Sequence, residues 1–153
     1  YRSDLFDTIL SHEVLEHVQD PVPFLLEVAR VMAPGSTLLL TVPWSARRHH
    51  IPHDYHRFTR EQLLILLTRH GFVDVQVVER GNDLGPIANK TLVLAIRLLK
   101  PAHLRSLWWS LPLGLVVGGW ASVLIAAFHI SERFKQSFND DPLGYFVRAR
   151  RAA

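Results

Sequence analysis

Residues 6–43 constrain the chain more than any other stretch, because two short apolar runs, 6–10 and 37–42, enclose a segment of one helix's length. Apolar runs this short read as strands covered on both faces. Asp20 can cap the first orphan amides of the helix between them, and Pro21 suits its first turn, where no amide hydrogen is needed. Phe24, Leu25, Val28, Val31 and Met32 recur at helical spacing and predict one face against a sheet. Pro34-Gly35 predicts the helix end. A crossover of this length between buried strands is right-handed and makes them parallel. Such a unit presents a ligand rim at the carboxyl ends of its strands.

After Pro43 the chain is too polar and too interrupted by proline for a strand until residue 58, and long ordered loops at the rim of a sheet are usually functional. Thr59 with Gln62 three residues on is a capping box, so a helix is expected from there through Leu63, Leu64, Leu66 and Leu67 to Gly71. Val73, Val75 and Val77 alternate with polar residues and predict a strand over 72–79. Residues 87–99 are apolar apart from Asn89, Lys90, Thr91 and Arg97, and Pro101 breaks the run. Residues 106–128 carry no formal charge; as a helix they extend roughly 34 Å, enough to cross a bilayer core of about 30 Å.

The 153 residues suffice for one ordinary domain. There is no cysteine, which excludes disulfides and thiolate metal sites. Net charge is +3, with acidic residues in excess over 1–80 and basic ones over 81–153. A basic half that is also the apolar half points to an anionic membrane surface before nucleic acid. Arg47-Arg48 is too short to indicate nucleic acid, and none is expected as a partner.

Phe6-Asp7-Thr8-Ile9, then Val14-Leu15-Glu16-His17-Val18 with Asp20-Pro21, then Glu27, Arg30-Val31 and Pro34-Gly35 before Thr41-Val42-Pro43, resemble the second half of class I S-adenosylmethionine-dependent methyltransferases. The resemblance covers roughly residues 5–80 and the last ten residues. The run Pro52-His53-Asp54-Tyr55-His56-Arg57-Phe58-Thr59 further resembles a branch associated with sugar and cell-envelope biosynthesis. The resemblance implies an α/β fold: the C-terminal half of a Rossmann-like methyltransferase sheet, with parallel strands plus an antiparallel last strand over 143–150; the two apolar runs add a helical hairpin inserted before that strand. Residues 1–80 and 142–153 are the expected partial methyltransferase domain, and 84–132 the inserted hairpin. The resemblance implies S-adenosylmethionine as cofactor and a small-molecule or lipid-linked sugar as acceptor. The family's glycine-rich loop is absent, no G-x-G-x-x-G occurs, and the chain opens at Tyr1-Arg2-Ser3-Asp4 without an initiator Met. An amino-terminal half of the same protein is therefore an expected partner, and this fragment is expected to be inactive alone.

If residues 143–150 complete that sheet, the insertion must leave and return on one side, which argues against a single membrane crossing. Pro112, Gly114, Gly118 and Gly119 would also kink or loosen a straight spanning helix. Two readings stay open for residues 84–132. They form a hairpin lying in a membrane interface, with Lys90, Arg97, Lys100 and Arg105 at headgroups, or they cover a pocket or dimer face. The first places the protein in the cytoplasm, peripheral on the inner face of the membrane.

His12-Glu13-Val14-Leu15-Glu16-His17 invites a zinc reading, but ligands four apart on one helical face are required and these histidines are five apart after a strand, so no metal is expected. The resemblance instead puts Ser11 and His12 near the methionine end of the cofactor with Glu16 and His17 shaping the turn, which makes Ser11, His12 and His17 the candidate cofactor-binding residues; the alternative for Glu16 and His17 is that they only tie down the turn and the helix start. His49, His50, His53 and His56 leave metal binding, acceptor chemistry and plain surface all open for the loop. Methyl transfer from a sulfonium needs alignment and exclusion of water, and a hydroxyl acceptor also benefits from a base. His53, His56 and Asp54 are the candidate catalytic residues, and Trp44, Tyr55 and Arg57 the candidate acceptor contacts. Arg57 could hold an anionic group or pair with Glu61. The rival function is a non-catalytic membrane-docking or interaction module built on a methyltransferase scaffold.

Overall fold

A computed structural model of the chain describes residues 1–134 and 139–153. It comprises two compact units, residues 1–80 with 144–153 and residues 81–143.

In the first unit, β1 (Phe6–His12) leads through a 3-10 turn (Leu15–His17) to α1 (Pro21–Val31) and β2 (Met32–Pro43). α2 (Arg60–Arg69), β3 (Phe72–Arg80) and the terminal strand β4 (Gly144–Arg151) complete it. The sheet order is β1-β2-β4-β3. β1 and β2 are parallel, with Leu10 opposite Leu39, and β4 runs antiparallel to both β2 and β3. Asp20 caps α1 by accepting from the Val22 amide at 3.0 Å, and Thr59 caps α2 by accepting from the Gln62 amide at 3.1 Å.

α1 stops at Val31, earlier than its apolar spacing predicts, and Met32 is fully buried at the start of β2 instead of on the helix. Pro34 has no amide to continue a helix and disfavours helical backbone just before it, so the chain is already extended there. Pro34-Gly35 lies inside the strand as an irregularity: the β1–β2 register steps from Phe6 opposite Met32 to Thr8 opposite Thr37, and Gly35 takes φ +75°. β3 is irregular too. Its register shifts between Val73 and Gln76, with Asp74 at φ 52°. The extra residue reverses the alternation, so Val73 turns outward while Phe72 and Val77 are buried.

Leu25 and Val28 of α1 and Leu63, Leu66 and Leu67 of α2 share one core with Leu38, Leu40, Val42, Val77 and Val147 of the sheet. Both helices therefore cover the same face. The expectation of strands covered on both faces is not met within this unit. β1 is an edge strand, and Leu10, Val78 and Phe146 are exposed on alternate positions from the buried ones.

The second unit is a hairpin of α3 (Leu84–Leu99) and α4 (Leu107–Phe134), joined through a 3-10 turn (Leu104–Ser106). Gly114 lies against Leu98 and Leu99, Gly118 against Ala95, and Gly85 against Phe128, so the helices run antiparallel. Asn82, 1% exposed, closes the open end: its amide donates to Ser131 Oγ at 2.8 Å and Glu132 Oε1 at 2.6 Å, and its carbonyl accepts from the Leu84 amide. Pro112 does not break α4. Its interior-facing positions are small, with Ala88 and Ala95 of α3 and Ser110, Gly114 and Ala121 of α4 buried, while Leu94, Ile96, Trp108, Leu115, Val116 and Trp120 are exposed.

Candidate active site

Because β1 and β2 are parallel, His12 and Pro43 end at the same edge of the sheet, and the segments that follow them form one rim. At the mouth of β1, Ser11 is 5% exposed and its hydroxyl has no hydrogen-bond partner among the described residues. His12 Nδ1 and Thr41 Oγ1 are 2.6 Å apart, and the Glu13 amide donates to the Thr41 carbonyl at 3.0 Å. Glu13 pairs with Arg80 at 2.9 Å.

The 3-10 turn holds the long loop down. The amides of Tyr55 and His56 donate to the Glu16 carbonyl at 2.9 and 3.2 Å, the His56 ring donates to the Gln19 carbonyl, and the His17 ring donates from Nδ1 to the His53 carbonyl. Phe58, 5% exposed, anchors the far end of the loop in the core. Trp44 anchors the near end, half-buried with its ring 6.3 Å from that of Tyr145.

Inside the loop a charged clamp fixes the shape. Asp54 accepts from both terminal nitrogens of Arg57 at 2.7 and 2.9 Å and from the His49 amide at 2.9 Å. Arg57 also donates to the His56 and Arg47 carbonyls. The Arg57 guanidinium holds the Asp54 carboxyl well below the usual carboxylate range. A carboxylate held so low is a poor proton acceptor, and the Arg57 fork is spent on the loop itself. The sequence-based alternative of a pair with Glu61 is replaced by Asp54, on the other side of Arg57 in the chain. His53 and Tyr55 stand more open: His53 Nδ1 lies 2.9 Å from the Tyr55 hydroxyl, and both residues are exposed.

Glu16 is the buried charge of the rim. It is 0% exposed, neither carboxylate oxygen has a hydrogen-bond partner among the described residues, and burial pushes its carboxyl up from the ordinary value. His17 Nε2 and His49 Nε2 lie 3.6 and 4.0 Å from its Oε1. Reading the two histidine-bearing stretches separately does not reveal this grouping. Its one sequence signal is a Glu-His pair just after a strand, with a histidine-rich loop after the next parallel strand.

A family model described as a methyltransferase domain matches residues 1–40. No curated protein sequence matches. Among solved structures, the [4+2]-cyclase SpnF is 20% identical with a TM-score of 0.51, over 100% of this chain and 52% of that one. The chain has a methyltransferase fold. Phosphoethanolamine N-methyltransferase 2 of Haemonchus contortus, in complex with S-adenosyl-L-methionine, aligns at 16% identity and TM-score 0.54, over 100% of this chain and 35% of that one. An S-adenosylmethionine-dependent methyltransferase from Mesorhizobium loti aligns at 16% identity and TM-score 0.53, over 97% of this chain and 63% of that one. The chain thus spans between about a third and two thirds of the length of these structures.

Proposed function

We propose that the chain supplies the acceptor-side part of an S-adenosylmethionine-dependent methyltransferase acting on a small-molecule or lipid-linked sugar acceptor. The observation that supports it is the rim itself: a methyltransferase-fold sheet whose parallel strands end beside a clamped, histidine-rich loop. The orphaned Ser11 hydroxyl is a buried polar group in need of a partner, which fits a cofactor end at the mouth of β1. Ser11, His12 and His17 would hold that end. When bound, the cofactor's sulfonium supplies the methyl group as an electrophile. His53 takes the proton from an acceptor hydroxyl, oriented by Tyr55, and His56 is the second candidate for that step. Asp54 and Arg57 position the loop, and Trp44 lines its near end.

The open face of the sheet at Leu10, Val78 and Phe146, together with the β1 edge, is where an amino-terminal half carrying the glycine-rich loop would pack. Calorimetry with S-adenosylmethionine should accordingly give weak or no binding to the 153 residues; micromolar binding would overturn this part of the reading. In the protein completed by that half, His53→Ala should lower turnover by on the order of a hundredfold with cofactor affinity unchanged. Unchanged turnover would favour the non-catalytic docking module instead.

The hairpin is proposed to lie in the interface of an anionic membrane, which would put the protein on the cytoplasmic face. The support is its inverted packing: small residues meet between the helices and large apolar ones face out, as helices do in lipid. Only 11% of the most apolar stretch of α4 is buried. The turn end carries Arg97, Lys100 and Arg105 beside Trp108 and Trp109, the pairing of cations with indoles found at headgroup depth. α3 is about 24 Å long, shorter than the bilayer core, and the Gly81–Leu143 contact joins both ends of the insertion. A tethered chain would share its surface with a lipid-linked acceptor. In vesicle flotation with anionic lipid the chain should rise with the vesicles, and Trp108→Ser with Leu115→Ser should leave it below; a wild-type chain that stays in the aqueous fraction would exclude lipid contact.

A further inference from the structure

We propose that Glu16, His17 and His49 form a binding site for a divalent transition metal of the zinc type. One ligand atom from each of the three residues lies within 4.8 Å of the other two. The site shares His17 with the cofactor end proposed above, and zinc binding is measured without cofactor, so the two stand or fall separately.

The orientation of the two rings is the strongest argument. His17 Nδ1 and His49 Nδ1 approach carbonyl oxygens, those of His53 and of Arg47, the latter at 3.1 Å. A carbonyl only accepts, so each Nδ1 donates there and Nε2 is the ring atom turned toward Glu16. Both Nε2 atoms approach Glu16 Oε1, at 3.6 and 4.0 Å. Glu16 is fully buried and neither oxygen has a hydrogen-bond partner among the described residues, which leaves a buried carboxyl in need of one.

The support shell has the character of a metal site. Ligating histidines ordinarily donate their other ring nitrogen to a carbonyl or carboxylate, which fixes tautomer and ring orientation. Here the carbonyl bonds do this, and Asp54 lies 3.6 Å from His49 Nδ1. Metal bonds of about 2.0–2.1 Å in tetrahedral geometry set ligand atoms roughly 3.3 Å apart, so a small contraction closes the triad. Two imidazoles and one carboxylate suit zinc and leave a fourth position open, whereas magnesium and calcium prefer oxygen ligands. His12, the ligand that a motif search would choose, is engaged with Thr41 and lies outside the group.

The test is calorimetric titration of the full chain with ZnCl2 and, separately, MgCl2, with melts in the presence and absence of about 100 μM metal. One equivalent of Zn²⁺ should bind at micromolar affinity or tighter and raise Tm, with Mg²⁺ silent. Glu16→Gln and His49→Ala should each weaken binding by on the order of tenfold or more and remove the Tm rise, while His103→Ala changes nothing. Absence of zinc binding, or affinity that survives both ligand substitutions, would overturn the proposal. Should a variant fail to give a cooperative metal-free melt, Co²⁺ added to the wild-type chain decides: visible ligand-field absorption of a low-coordinate site is expected, and its absence refutes the site.

Discussion

Asp54→Ala is expected to lower stability by about 3 kcal/mol in urea unfolding, because it strips the counter-charge from Arg57 within a largely buried pair. The Asp54 side chain is 2% exposed and that of Arg57 24%. The substitution also leaves the His49 amide without its acceptor, so the loss is shared by the whole loop. The pH dependence follows from the direction of the Asp54 shift. Its carboxyl titrates lower in the folded chain than in the unfolded one, with the Arg57 hydrogen bonds as the leading cause. The folded state therefore gains stability that is fully present above the unfolded carboxylate value of about 4 and is lost as pH falls toward the folded value. The wild-type and Asp54→Ala stability curves should run parallel from pH 8 to about pH 5 and converge below about pH 4. Parallel curves down to pH 2 would show that the pair contributes nothing to folding.

Gly114→Leu is the second large expected effect, at about 3 kcal/mol of lost hairpin stability. A Cβ at this position would meet Leu99 Cδ2 and Cγ at 3.0 Å and Leu98 Cβ at 3.1 Å, before the rest of a leucine is added. The helices must separate, and the small-residue contact on which the hairpin is built is lost. A Cβ at Gly119, five residues further along α4, meets nothing within 4 Å. There the better helix propensity of leucine should add about 0.5–1 kcal/mol. Far-UV circular dichroism during urea unfolding reads both. Equal effects at the two glycines would mean that α3 does not pack against the Gly114 face.

Local rules explain why much of the fold is legible in the chain. Asp20 and Thr59 cap helices because their side chains reach amides two and three residues on, a geometry contained within one turn. The Gly114–Gly118 spacing is also local, but whether it meets another helix is not, and Ala95 and Leu98–Leu99 answer that only once the hairpin has closed. Pro34-Gly35 misleads for the same reason. It reads as the end of a helix, yet β1 pairs on either side of it, so tertiary pairing sets where the strand begins.

By itself the sequence determined the strand–helix–strand unit, its parallel pairing and the polar loop beyond it, since periodicity, caps and crossover length act over a few residues. Only the tertiary structure decided which partners the loop residues take. Arg57 closes on Asp54 and not on Glu61, and His49 comes to rest beside Glu16 and His17. Those meetings depend on two parallel strands ending at one edge and setting down distant turns together. No spacing within either turn encodes them, because the distance between the groups is fixed by the sheet and not by the chain that joins them.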